Sequence, residues 1–180
     1  GLTNRLITTA FACLAEIEEP VALGRMIRRL NAAVAETVSG QTSELTRKAH
    51  EEPSVESCIA AARQKSGPLF ALALELPLIM AGQEKHVGTA HRVACLLGLG
   101  YQMLDDLKDQ TPDSAHASSG NLVLAMRRAN PARSAEQAVA SLARTCLSDA
   151  IKEAEKLPGG MGRPLIEWTQ SLFPRINTFT

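Results

Sequence analysis

Apolar side chains recur at helical spacing along most of the chain. Over residues 3–18, Leu6, Ile7, Ala10, Phe11 and Leu14 share one helical face. Pro20 suits the first turn of the next helix, in which Met26, Leu30, Ala33, Val34 and Val38 line one side of residues 21–38. The two segments predict a helical hairpin. The second reaches Ser39-Gly-Gln-Thr-Ser-Glu-Leu45, read as a turn where Gly40 lets backbones approach closely. After a turn at 50–53, Ser54 is placed to cap a helix that runs to Lys65. Gly67-Pro68 interrupts that helix before apolar residues resume to Gly82. Proline has no N–H to give the carbonyl four residues back, so an acceptor near Gln64 and Lys65 is left unpaired beside an ammonium and the Ser66 hydroxyl.

Residues 84–109 form one long predicted helix. Its interior glycines, Gly98 and Gly100, each cost about 1 kcal/mol against alanine and so predict close helix contact. A polar loop over 110–119 leads to a short helix over 121–129. A long helix over 134–157 follows, opened by a capping box of Ser134 and Gln137 and striped by Ala135, Ala138, Val139, Leu142, Cys146, Ala150 and Ile151. Pro158-Gly-Gly160 ends it, and residues 162–173 are a last helix carrying the sole tryptophan, Trp168. No segment alternates as a strand would, and no internal repeat is visible. The prediction is an all-α bundle, a single domain over residues 1–180.

Composition narrows the function. With 45% hydrophobic and 21% charged residues, the chain has ordinary globular composition and can bury a core. Nineteen basic and nineteen acidic side chains cancel, which leaves no electrostatic footprint for nucleic acid or an anionic membrane. The longest apolar run, 69–81, is broken by Glu75 and Pro77 and is too short for a transmembrane segment. Cys13, Cys58, Cys95 and Cys146 lie far apart with no zinc-type spacing, and are read as reduced core residues of a cytoplasmic protein. The amphipathic pattern starts at once after Gly1, with no initiating methionine and no secretory signal. Upstream sequence is therefore expected.

The chemistry concentrates at the end of the 84–109 helix. Asp105, Asp106 and Asp109 stand within about one turn, where the helix dipole already carries negative charge and each exposed acid costs about 0.3–1 kcal/mol. A positive partner is therefore expected. Asp105 and Asp109 share a face with Gln102, making an all-oxygen cluster of the type that holds Mg²⁺ together with phosphate oxygens. Singly, three acids, Lys65 or Gln41 would be surface decoration. As a set they are the groups a Mg²⁺-bridged diphosphate needs: carboxylates for the metal, an ammonium for phosphate charge, amide and hydroxyl oxygens for a developing cation. The apolar segments 69–78 and 93–99 are expected to wall a dry cavity. His50, His86 and His91 stand isolated and are read as structural or surface residues.

Tyr101-Gln-Met-Leu-Asp-Asp-Leu-Lys-Asp109 resembles the second aspartate-rich motif of the trans-isoprenyl diphosphate synthases, or polyprenyl synthetases: aromatic-Gln-x-x-Asp-Asp-x-x-Asp. Lys65-Ser66-Gly67 is similar to that family's Lys-Thr-Gly, and Gly40-Gln-Thr-Ser-Glu-Leu45 to its Gly-Gln-x-x-Asp-Leu, with Glu44 for the aspartate. The resemblance covers residues 1–129. It implies an isoprenoid-synthase-type helical bundle, incomplete at its N-terminus, and head-to-tail condensation of an allylic diphosphate with isopentenyl diphosphate using Mg²⁺. It also implies that Asp105, Asp106 and Asp109 hold metal and that Lys65 binds the allylic diphosphate. By the same resemblance Ser66 and the Lys65 carbonyl face the carbocation, Gln102 supports the allylic end, and Gln41 and Glu44 bind substrate. A homodimer through the first two helices follows from it as well.

Two departures stand out. The family's first aspartate-rich motif has no counterpart here, so the chain alone is expected to be inactive and to associate with an upstream fragment of the same protein. No lysine falls between Lys108 and Lys152 to match those the family carries after the second motif, and His116 is a weak substitute. The alternatives are a non-catalytic partner or regulatory subunit with the same fold and, less well supported, a class I terpene cyclase.

Overall fold

The computed structural model describes residue 12 and residues 14–45, 52–109 and 120–179. The described residues contain helices and turns and no strand, as the apolar spacing predicts. Helix α1 (Pro20–Leu45) is followed by α2 (Val55–Met80), a 3₁₀ turn at Glu84–His86, and α3 (Val87–Lys108). Beyond them come α4 (Leu122–Ala129), α5 (Ala135–Ala154), a second 3₁₀ turn at Pro158–Gly160, α6 (Arg163–Gln170) and α7 (Phe173–Asn177). The expected helix over 3–18 and loop over 110–119 lie outside the described residues, apart from a few positions at the end of the former.

Helix α3 is central. It packs on α2 at one side and α5 at the other, while α1 lies against α2, and α4, α6 and α7 lie against α5. The glycines explain the close approach. A Cβ on Gly98 would stand 3.3 Å from the Gly67 nitrogen and from Ser66 Cβ, and one on Gly100 would stand 2.7 Å from Leu147 Cδ2. The largest core joins α3 to α5 through Leu97, Met103, Leu104, Leu107, Val139 and Leu147, all buried. A second unites α1 and α2 through Met26, Leu30, Ala33, Leu72 and Ile79.

Two sequence expectations need correction. Gly67-Pro68 does not interrupt a helix, because α2 runs unbroken through Pro68 and Pro77. A helical proline costs roughly 3 kcal/mol, and burial of Gly67, Pro68, Ala71, Leu72 and Leu74 outweighs it. Nor do residues 39–45 form a turn, because they complete α1. One helical glycine costs about 1 kcal/mol, and the Thr37 and Thr42 hydroxyls donate to the Ala33 and Val38 carbonyls at 2.9 and 2.8 Å. Elsewhere the caps fall where predicted: Ser54 Oγ accepts from the Ser57 N–H at 3.2 Å and Ser134 Oγ from the Gln137 N–H at 3.2 Å.

Candidate functional site

The acid end of α3 is divided between two sides of the helix. Successive side chains on a helix diverge by about 100°, and Asp105 and Asp106 accordingly meet different neighbours. Asp106 is buried. Its Oδ2 accepts from the Leu122 N–H at 2.9 Å and its Oδ1 from Gln102 Nε2 at 3.2 Å. The first of these bonds satisfies an amide at the start of α4 that no helical carbonyl reaches. Asn121 completes the junction: its Oδ1 accepts from the Val123 and Leu124 N–H groups at 2.9 and 3.2 Å, while its Nδ2 donates to the Asp106 carbonyl at 2.9 Å. One side chain thus caps the start of α4 and the end of α3. Burial pushes the Asp106 carboxyl above the ordinary aspartate range, opposed by the Leu122 N–H, Gln102 and the Lys65 charge.

Asp105 turns the other way and keeps 37% of its side-chain surface. Its oxygen lies 3.9 Å from the Arg175 guanidinium of α7. Desolvation raises its pKa, Lys108 and Arg175 oppose the rise, and neighbouring Asp109 adds to it. Asp109 is exposed at the C-cap, its N–H donating to the Asp105 carbonyl at 3.0 Å. The cations expected to offset the helix dipole are therefore present, and Arg175 is one that no sequence pattern points to. Arg175 also lies over the Tyr101 ring, 5.9 Å from its centroid, and Tyr101 stacks on Trp168 at 5.9 Å.

The structure brings Lys65, Ser66, Gln102 and Asp106 to neighbouring positions of α2 and α3. Lys65 is exposed, yet its charge bears on Asp106, and Ser66 packs at the Gly98 crossing one turn before Gln102. Gln41 and Glu44 belong to the last turns of α1, and their side chains lie outside the described residues, as does His116. Among the described residues no three His, Cys, Asp or Glu side chains converge as a metal cage. Asp105 and Asp109 nonetheless fit Mg²⁺ by donor chemistry: they are accessible hard oxygens close enough to repel each other, and Mg²⁺ commonly takes one or two carboxylates and fills its shell with water and phosphate.

A cavity of about 540 Å³ opens between α1, α2 and α3, lined by Ala35, Glu36, Ser39, Arg63, Gln64, Pro68, His91 and Cys95. Both Gln64 and Pro68 line it, from the stretch of α2 where proline removes one backbone donor. The apolar segments expected to wall it are instead mostly core: Ala71, Leu72, Leu74, Leu78, Val93, Ala94, Leu97 and Leu99 are buried between helices. At the cavity's edge is a network invisible in the sequence. Glu75, 1% exposed, pairs with Arg29, whose Nη2 lies 3.2 Å from Glu75 Oε1, and with His91 Nδ1 at 2.9 Å; His91 Nε2 is 3.5 Å from Cys95 Sγ. His91 is thus structural, as expected, but not isolated. Cys58, Cys95 and Cys146 are free thiols, as expected, and burial raises the pKa of Cys95 and Cys146.

A sequence profile of the polyprenyl synthetases matches residues 3–120. No curated protein sequence matches the chain. Among solved structures, the geranylgeranyl pyrophosphate synthetase of the archaeon Geoglobus acetivorans superimposes with a TM-score of 0.78 at 16% identity, over 91% of this chain and 62% of that one. At that identity the likeness establishes the fold, an isoprenoid-synthase helical bundle, and the chain spans less than two thirds of the length of that synthetase. No described helix is long and apolar enough to cross a membrane.

Proposed function

The chain belongs to the polyprenyl synthetase family, and from that premise we propose that it forms the metal- and diphosphate-binding half of a prenyl diphosphate synthase. The reaction is head-to-tail condensation of an allylic diphosphate with isopentenyl diphosphate. The allylic C–O bond breaks and diphosphate leaves, a C–C bond forms to isopentenyl diphosphate, and a proton is lost. Mg²⁺, when bound, neutralises the departing diphosphate. The observation that carries this reading is the division at the end of α3: Asp106 is committed to fixing the helix junction, while Asp105 and Asp109 keep accessible oxygens beside a cation.

Each residue has a distinct part. Asp105 and Asp109 hold the metal, and Asp106 fixes the end of α3 that presents them. Lys65 meets the charge of the allylic diphosphate. The Ser66 hydroxyl, the Gln102 amide and the Lys65 backbone carbonyl offer fixed dipoles to positive charge developing on the allylic carbon, in a region where preorganised dipoles act without reorganisation. By the resemblance of their motif, Gln41 and Glu44 are assigned to substrate binding.

A clamp with one acidic helix grips a leaving diphosphate from one side only, so condensation requires the facing groups of an upstream segment. The test is to incubate the purified chain, alone and with its upstream sequence, with labelled isopentenyl diphosphate, allylic diphosphates and Mg²⁺. Elongated product only with the upstream sequence is the expected result. No product in either case, with diphosphate still bound, favours the reading as a non-catalytic partner subunit.

A further inference from the structure

The cations downstream of the acid end are mostly engaged elsewhere. Arg127 pairs with Glu136, Arg128 with Glu52 at 3.1 Å, and Arg144 lies over Phe173. Arg175 differs. At 3.9 Å from Asp105 it shares charge with the carboxylate, but the separation is too long for a hydrogen bond. The Tyr101 ring beneath it, itself braced by Trp168 and by Phe70 at 6.3 Å, holds the guanidinium through its face, a contact that uses no N–H donor. A guanidinium has five such donors in a planar fork suited to two oxygens of one phosphate. With 33% of its side chain exposed, Arg175 is within reach of a ligand at Asp105.

We propose that Arg175 is a diphosphate-binding residue of this site, gripping from α7 the phosphate oxygens that a metal at Asp105 draws in. The inference rests on the reading of the site as a Mg²⁺–diphosphate site. The physical argument is one of charge. A cation arriving at Asp105 repels a guanidinium 3.9 Å away, unless an anion comes between them, and a diphosphate bridges both. As a stabilising contact the pair contributes little, since both partners are about a third exposed and solvent screens their charges. The alternative is a latch: Arg175 merely neutralises an empty Asp105 and must be displaced by the metal. The two roles predict opposite signs.

The experiment titrates the full chain with Mg²⁺ alone, and with inorganic diphosphate at saturating Mg²⁺. It is read by calorimetry and by fluorescence of Trp168, which stacks on Tyr101 beneath the guanidinium. Arg175→Gln is expected to raise the Kd for inorganic diphosphate about tenfold, and Arg175→Lys about threefold, since lysine keeps the charge without the fork. Binding of Mg²⁺ alone by Arg175→Gln is expected to be unchanged or modestly tighter, because one repelling charge is gone, while diphosphate binding weakens. Tighter Mg²⁺ binding by Arg175→Gln with unaltered diphosphate affinity identifies the latch and overturns the proposal, as does a variant indistinguishable from wild type in both titrations. A wild-type chain that binds no diphosphate with Mg²⁺ sinks this proposal together with the functional reading beneath it, whereas loss confined to the two arginine variants supports both.

Discussion

Two acidic regions of this molecule are built in opposite ways. Glu75 lies in the middle of α2, 1% exposed, with both oxygens held by Arg29 and one of them also by His91, from the two neighbouring helices. Asp105 lies at the end of α3, 37% exposed, with the Arg175 guanidinium at 3.9 Å. A buried carboxylate is tolerable only when its lone pairs are met by donors and its charge by a counter-charge. Glu75 satisfies that condition within the fold, so nothing remains for a ligand. Asp105 is incompletely served, in a place where the helix dipole and Asp109 make its charge unfavourable. An acid cluster advertises function by what it leaves unpaired, and Asp106, in the same motif, sits with Glu75 on the structural side of that division.

The sharpest way to break the comparison is to remove each acid in turn. If the proposed synthase reading holds, Asp105→Ala in the chain joined to its upstream sequence is expected to lower turnover roughly a thousandfold or more, about 4 kcal/mol of transition-state stabilisation, with little change in the urea midpoint. Near-normal turnover at saturating Mg²⁺ would make Asp105 a surface residue. Glu75→Ala should do the reverse: leaving Arg29, 17% exposed, without its partner costs about 3 kcal/mol of stability, measured by urea unfolding. A loss below about 1 kcal/mol would show that the network is solvated and that the contrast is false.

Much of this architecture was legible from apolar spacing. The helices over 84–109, 121–129 and 134–157 appear within a few residues of their predicted ends, because each buries a stripe, whereas the one over 21–38 starts as predicted and continues to Leu45. The errors arose where a local signal lost to packing. Gly67-Pro68 and Gly40 carry breaker residues, but both sit inside long helices whose burial outweighs a few kcal/mol of local penalty. The motif at 101–109 was legible as a set of acids, whereas their division was not, since it depends on which side of α3 meets α4 and which meets α7. Arg29, Glu75, His91 and Arg175 belong to separate segments, and no periodicity connects them.

Asn121 offers a test of intermediate size. Asn121→Ala removes the cap of α4 and the bond to the last carbonyls of α3 together, with an expected cost of about 1–2 kcal/mol. If the end of α3 is what presents Asp105, the same variant should also weaken Mg²⁺–diphosphate binding. Unchanged binding despite the lost stability would separate the junction from the site.

The smallest expected effect concerns the charge of Asp106. Burial raises its folded-state pKa above the ordinary aspartate value of 3.8, against the lowering by the Leu122 N–H, Gln102 and Lys65. A group with a raised folded pKa takes up a proton more readily in the folded than in the unfolded chain, so in the window between 3.8 and that raised value the folded state binds more protons. Stability from this residue therefore increases as pH falls through the window, and is constant below 3.8 and at neutral pH. Asp106→Asn abolishes the titration while leaving one carbonyl oxygen to accept from Leu122. The stability difference, wild type minus Asp106→Asn, should then be greater at pH 4 than at pH 7 in paired urea titrations. A difference that shrinks on acidification would mean that the hydrogen bonds and Lys65 stabilise the carboxylate more than burial opposes it. Asp106 would then carry its charge more easily than an exposed acid, and burial would not be the dominant influence on its titration.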